Sequence, residues 1–212
     1  MTAHASGQRL ATLVHEVRSP VAALAAIAET HGRERLEPEA RRSLVQLALA
    51  ACRAIERIVT DATVVSVRLE PVDVGRVVME TVAAARLRAT SVRADLEPAL
   101  PVVYADALRI RQALDNLVAN ALTHGGPGEI VVRAYVREGE VMIEVADSGA
   151  GIPDDQQERI FEAGVRLDLD RPGSGLGLAV VRGIADAHGA SVRVHSAPGQ
   201  GTTFTLAFPL DH

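Results

Sequence analysis

Asp147-Ser-Gly-Ala-Gly151 and Gly173-Ser-Gly-Leu-Gly-Leu178 decide the reading of this chain, together with Asn116-Leu-Val-Ala-Asn120-Ala121 on a stretch of helical character upstream. Glycine lets a backbone approach a ligand closely and turn where a side chain would clash. The N–H groups at the start of the helix that follows the second glycine run suit phosphate oxygens. An aspartate ahead of the first run repels phosphate and offers its acceptor to an amino group on a base instead. Each piece alone is weak, because glycine clusters are most often turns. In this order they describe a nucleotide cradle assembled from separated pieces.

The 212 residues are 48% hydrophobic and 23% charged, as in a soluble globular protein of one or two domains. Aromatics make up 2% and tryptophan is absent, so Ala, Val, Leu and Ile must build the core. A net charge of −5, with no basic run interleaved with aromatics, argues against nucleic acid as a partner. Cys52 is the only cysteine, which excludes an internal disulfide and points to a reducing compartment. Its expected place is that of a small buried hydrophobe on a helix. The longest apolar run, Val21 to Ala28, is too short to span a bilayer, and residues 1 to 9 carry no secretory signal. The expectation is a soluble, cytoplasmic chain with no membrane segment.

Outward from the cradle, the first helix carries Leu10, Val14, Val17, Val21, Leu24 and Ile27 at three- and four-residue steps, one buried stripe. A polar break from Thr30 ends it, and Pro38 opens a second helix with a stripe running from Leu44 to Val65. Such an antiparallel hairpin cannot bury its own stripe well, so a homodimer forming a four-helix bundle is expected over residues 1–67. From 68 to 212 the pattern is mixed. Helices are expected from Val74 to about Arg88, from about Ala105 to His124 and from Leu176 to His188. Strands are expected near Val92 and Val102, from Ile130 to Val136, from Val141 to Ala146, and twice more toward Phe208. A mostly antiparallel sheet with its helices on one side is an α+β sandwich.

The first helix also holds Leu13-Val-His15-Glu16-Val-Arg18-Ser19-Pro20. His15 lies beside the stripe, and Ser19, one turn on, shares its face. A zinc-protease helix needs a second histidine where Ser19 stands, which removes that reading. An isolated His-Glu pair would be an ordinary surface histidine on a bundle. A proline inside a good helix costs about 3 kcal/mol, however, so Pro20 suggests a purpose.

The order of His15 to Pro20, Asn116 to Asn120, Asp147 to Gly151, and Gly173 to Leu178 resembles the kinase core of sensor histidine kinases from bacterial two-component systems. The later motifs also resemble the wider ATPase superfamily of gyrase, Hsp90 and MutL. The resemblance runs from the hairpin to the closing Gly199-Gln-Gly-Thr-Thr-Phe204. It implies a dimerisation and histidine-phosphotransfer domain over 1–67 and an ATP-binding catalytic domain of the α/β sandwich type over 68–212.

Residue by residue, the resemblance implies that His15 is the phosphoacceptor and Glu16 its general base. Asn120 would hold Mg²⁺ and Asn116 would border the phosphates. Asp147 would accept the adenine amino group with Thr202 nearby, and Gly149 and Gly151 would shape the pocket floor. Gly173, Gly175 and Gly177, with Leu176 opening the following helix, would end a mobile lid that begins at Phe161. Arg166 or Arg171 would neutralise phosphate charge, or both are solvated loop residues; Asp168 and Asp170 are expected as lid surface charges. The family often has a basic residue three positions after the magnesium asparagine. This chain has Thr123 there, followed by His124, a candidate substitute in phosphate binding, and its lid is short. Ser19 stands where the family often carries threonine or asparagine to orient water for dephosphorylating the partner. The implied activity is ATP-dependent autophosphorylation on His15 and transfer to an aspartate in the receiver domain of a separate response regulator. The alternative is a non-catalytic dimeric scaffold that binds nucleotide.

Overall fold

The computed structural model describes residues 67–89, 91–168 and 175–210, and also six helical residues nearer the start, Val21, Ala22, Ala25, Ser43, Gln46 and Ala48. The chain divides into two compact units, Met1–Thr63 and Val64–His212. Apart from those six residues the expected hairpin, with His15, Glu16, Ser19 and Cys52, lies outside the described residues, as do Asp170, Arg171 and Gly173. No helix among the described residues is long and apolar enough to cross a membrane.

The second unit is an α/β sandwich. Its main sheet has the order β2 (Val92–Leu96), β4 (Ile130–Arg137), β5 (Glu140–Asp147), β7 (Thr202–Pro209), β6 (Ser191–Ser196). Only the β2–β4 pairing is parallel; the others are antiparallel. Alternation explains the layers. Val141, Ile143 and Val145 of β5 are buried beside Phe204, Leu206 and Phe208 of β7. Three helices cover that face: α1 (Val74–Arg86), α2 (Ala107–His124) and α3 (Gly177–Ala187). The opposite face is polar, with Arg133 reaching Asp95 at 3.4 Å and Glu144 at 3.6 Å. On that face Met142, Val131 and Ala207 are nonetheless buried among their neighbours on the sheet.

Aspartates set where two helices begin. Asp73 accepts the N–H of Arg76 at 2.9 Å to cap α1. Asp106 accepts the N–H groups of Leu108 and Arg109 at 3.0 and 3.2 Å to cap α2, so that helix starts just after the expected Ala105. Each cap satisfies donors that the helix itself cannot pair. Ile110, Leu114 and Leu117 anchor α2 in the core.

The strand expected near Val102 is β3 (Val103–Ala105), and it does not join the main sheet. It pairs antiparallel with β1 (Glu70–Val72), which the sequence reading passed over. Three residues containing Pro71 show no alternation, and proline restricts a strand to an edge.

Candidate nucleotide-binding site

Helical spacing brings the first wall together. Asn116, Ala119, Asn120, Thr123 and His124 recur at three- and four-residue steps along one stripe of α2. The opposite stripe, Ile110, Ala113, Leu114, Leu117, Val118 and Ala121, is buried. Strand register supplies the second wall, since Asp147 at the end of β5 pairs with Thr202 at the start of β7. Ala150, Gly151 and Ile152 follow it; Ile160, Val165, Arg166, Leu167 and Asp168 close another side. Gly175, Gly177 and Leu178 complete the enclosure around a cavity of ≈ 390 Å³, a volume suited to a small organic ligand.

Asp147 is the carboxylate of the sheet-side wall of the cavity. Burial pushes its carboxyl above the ordinary aspartate value. Backbone hydrogen bonds from Gly149 and Thr202 and the charge of His124 oppose that shift without cancelling it. The Gly149 N–H donates to Asp147 Oδ1 at 2.9 Å. A half-buried carboxyl short of solvent gains from any further donor that enters the cavity.

The floor behind Asp147 is backbone laid against backbone. Gly201 N–H donates to the Gly149 carbonyl at 3.1 Å and Gly199 N–H to that of Ala150 at 2.7 Å. Ser196 Oγ accepts from Ile152 N–H at 2.8 Å and donates to the Gly201 carbonyl at 2.7 Å. Gly151 has φ +74° and a Cβ there would run into the Ala197 carbonyl, so both conformation and space require glycine.

At the helical end of the cavity, no side chain among the described residues caps the N-terminus of α3, whose N-cap is Leu176. Unpaired N–H groups at such an end attract anions. Gly177 packs against Asn116, with an added Cβ standing 3.8 Å from the asparagine's own Cβ. Gly164 N–H donates to the Gly175 carbonyl at 3.0 Å, pinching together the base of the expected lid. Arg166 Nη2 donates to the Asp168 carbonyl at 3.3 Å.

Asn116, Asn120, His124, Asp147, Gly151, Arg166, Gly175, Gly177 and Thr202 therefore share one cavity. Gly149 is buried behind Asp147. Phe161 stands behind the wall, 5% exposed, edge-on to Phe204 at 6.1 Å and beneath the Arg182 guanidinium at 4.5 Å. Its neighbour Ile160 faces the cavity instead, and Leu178 does so in place of Leu176. Asp168, expected on the lid surface, also lines the cavity. The apolar lining of Ile152, Ile160, Val165 and Leu178 escaped sequence reading. Those residues flank glycine loops, where no periodicity marks which way a side chain points.

Residues 105–212 match the family described as histidine kinase-, DNA gyrase B-, and HSP90-like ATPases, and the chain belongs to that family. Within it, the relatives are sensor histidine kinases. The chain is 34% identical over 219 aligned residues to the probable sensor histidine kinase TcrY of Mycobacterium tuberculosis, across 96% of this chain and 46% of that one. It is 31% identical to the sensor-like histidine kinase SenX3 of Mycolicibacterium smegmatis, across 94% of this chain and 56% of that one. It thus spans about half the length of these curated relatives. Among solved structures, full-length ShkA in complex with AMPPNP is similar at a TM-score of 0.69 and 30% identity, covering 95% of this chain and 45% of that one. The mycobacterial sensor histidine kinase MprB matches at 0.59 and 30%, covering 66% of this chain and 97% of that one.

Proposed function

We propose that this chain is an ATP-dependent protein histidine kinase that phosphorylates its own His15 and passes the phosphoryl group to an aspartate of a separate response regulator. The observation that carries the reading is the single cavity in which Asn116, Asn120, Asp147, Thr202 and the N-terminal turn of α3 meet, in a chain that also bears the His15 motif. Similarity to a kinase whose structure holds AMPPNP supports ATP as the ligand.

In the proposed step, the Nε2 lone pair of neutral His15 attacks the γ-phosphorus. The bond to the β,γ-bridging oxygen breaks and ADP leaves. Glu16 takes the proton from the other ring nitrogen. Among the described residues no group of three His, Cys, Asp or Glu side chains is placed to hold a metal. As the resemblance implies, Mg²⁺ would be held by the amide oxygen of Asn120, which lines the cavity, and by the triphosphate's own oxygens, a hard-oxygen set that suits it. Bound there, it supplies charge neutralisation to the phosphates. Arg166, at the cavity wall, is proposed to add to that neutralisation.

Ser19 is proposed to orient water when the phosphorylated regulator is hydrolysed. The hairpin is proposed to pair with a second copy, and Val21 of its stripe, 48% exposed in the single chain, is available for burial there. A second reading, a nucleotide-binding scaffold without transfer, draws on Thr123, whose hydroxyl donates back to the Ala119 carbonyl at 2.9 Å where the family often has a cation. Incubation with γ-labelled ATP separates the two. An acid-labile phosphoprotein that disappears in His15→Gln is the expected result. Label that persists in that variant overturns the kinase assignment, and tight ATP binding without any label favours the scaffold.

A further inference from the structure

His188 follows α3 directly, only 4% exposed, and takes no part in lining the cavity. The backbone N–H of Asp106 donates to its Nε2 at 3.0 Å. A backbone amide only donates, so Nε2 is the acceptor and the ring proton sits on Nδ1. Nδ1 in turn donates to the carbonyl of Ile184 at 2.7 Å. The ring stands edge-on to Phe208, centroids 5.9 Å apart. Both nitrogens and the ring orientation are thereby settled.

The two partners belong to the ends of different helices. Ile184 is in the last turn of α3, and its carbonyl is one the helix leaves unpaired. Asp106 is the N-cap of α2, and its carboxylate also accepts the N–H of Arg68 at 3.1 Å. The C-terminal end of α3 thus meets the N-terminal end of α2. At the far end of the pair, Gly177 packs on Asn116. From Asp106 to Asn116 and Asn120 is roughly 15–21 Å along α2 at 1.5 Å per residue, and α3 is of similar length. Helices of this length move as stiff rods, so an axial slip at His188 reappears at the phosphate end.

We propose that His188 is a positioning residue for the nucleotide's phosphates. Its acceptance of the Asp106 N–H sets the axial offset of α3 against α2, and the bond to the Ile184 carbonyl within α3 only orients the ring. That offset fixes the gap between Asn116 or Asn120 and the N-terminal turn of α3. The pair Asp147 and Thr202, proposed to meet the base, lies at the other end of the β5–β7 register from Phe208 and packs on the C-terminal end of α2 at Gly125, so a slip of α3 along α2 leaves it in place. The proposal rests on the ATP reading given above and assigns a separate structural origin to the phosphate contribution.

The test is calorimetry on the full chain with adenosine and with a non-hydrolysable ATP analogue plus Mg²⁺, alongside thermal melts. An asparagine amide reaches the position of Nδ1 but not that of Nε2, so His188→Asn keeps the Ile184 bond and loses Asp106. A glutamine carbonyl reaches the position of Nε2, so His188→Gln restores the Asp106 bond. We expect His188→Asn to lose about tenfold in analogue affinity, roughly 1.4 kcal/mol, with adenosine affinity unchanged within about twofold. His188→Gln should keep the parental ratio within about threefold. A parental ratio in His188→Asn overturns the proposal. So does an equal loss of both ligands, which marks a merely structural histidine, and so does a ratio lost equally in His188→Gln. If His188→Asn does not fold, His188→Leu, which loses both bonds, takes its place with the same expected tenfold loss for the analogue alone, and a parental ratio there overturns the proposal. A parent that binds neither ligand removes the nucleotide reading itself, and the proposal with it.

Discussion

Two aspartates of the second unit hold their protons with opposite strength, and the cause is visible at each. Burial raises Asp147, and its hydrogen bonds from Gly149 and Thr202 do not make up the difference. Burial also acts upward on Asp106, but there the backbone N–H groups of Arg68, Arg109 and Leu108 outweigh it and the net shift is down. Linkage turns these directions into stability. A raised folded pKa means that Asp147's contribution is full below the unfolded value of about 3.9 and is lost as pH rises through the folded value. A lowered one means that Asp106's contribution is present above about 3.9 and is lost as pH falls through the folded value. Asp147→Asn should therefore gain in melting temperature relative to the parent between pH 4 and pH 7. Asp106→Ala should cost about 1 kcal/mol at pH 7, the usual loss of a helix cap, and less in acid. Thermal melts from pH 7 down to about pH 2 check both, and gaps that move with pH in the same direction would contradict the pair. Asp147 was legible in the sequence because its glycines constrain what it can meet. Phe161 was legible only as a residue of interest. It sits in a short 3₁₀ turn, Arg159–Phe161, where adjacent side chains diverge and Ile160 rather than Phe161 faces the cavity.

At the scale of elements, the lid base is a backbone device. Gly175 has φ +76°, and a Cβ there would stand 2.8 Å from the Val165 carbonyl oxygen and 2.9 Å from the Gly164 carbonyl carbon. Its own carbonyl receives the Gly164 N–H. Gly139, in the turn between β4 and β5, has a similar φ of +80° and nothing within 4 Å of an added Cβ. The two glycines thus share a conformational cost of roughly 1–2 kcal/mol on substitution, and only one adds a collision at the site. Gly175→Ala is expected to lower affinity for an ATP analogue about tenfold. Gly139→Ala should leave that affinity unchanged while lowering the melting temperature. Calorimetry and melts on both variants separate site from conformation, and equal affinities would show that the lid base does not shape the site. Sequence patterning found α1, α2, α3 and six of the seven strands because each presents one apolar stripe or one alternating face. It missed β1, whose three residues have neither, and the start of α2 became definite only through the three-way cap at Asp106.

At the scale of the whole molecule, motif order conveyed more than pattern did. Asn116, Asp147 and Gly175 lie far apart in sequence, and only the sheet order β2-β4-β5-β7-β6 folds them around one cavity. That order, with its single parallel pairing, cannot be read from alternation, which is the same for either strand direction. The second unit, Val64–His212, carries its own core and every described residue of the cavity. It should therefore fold when expressed alone and bind an ATP analogue within about twofold of the full chain's affinity. At a ligand concentration one hundred times the Kd, binding adds about 2.7 kcal/mol. For a domain of this size that corresponds to a rise of about 5–10 °C in melting temperature. The same fragment lacks His15, so labelled ATP should leave it unphosphorylated while the full chain becomes labelled. A fragment that melts without cooperativity would show that the second unit needs the first for its stability. Label on the fragment itself would place a phosphoacceptor within residues 64–212 and withdraw the proposal that His15 is the sole acceptor.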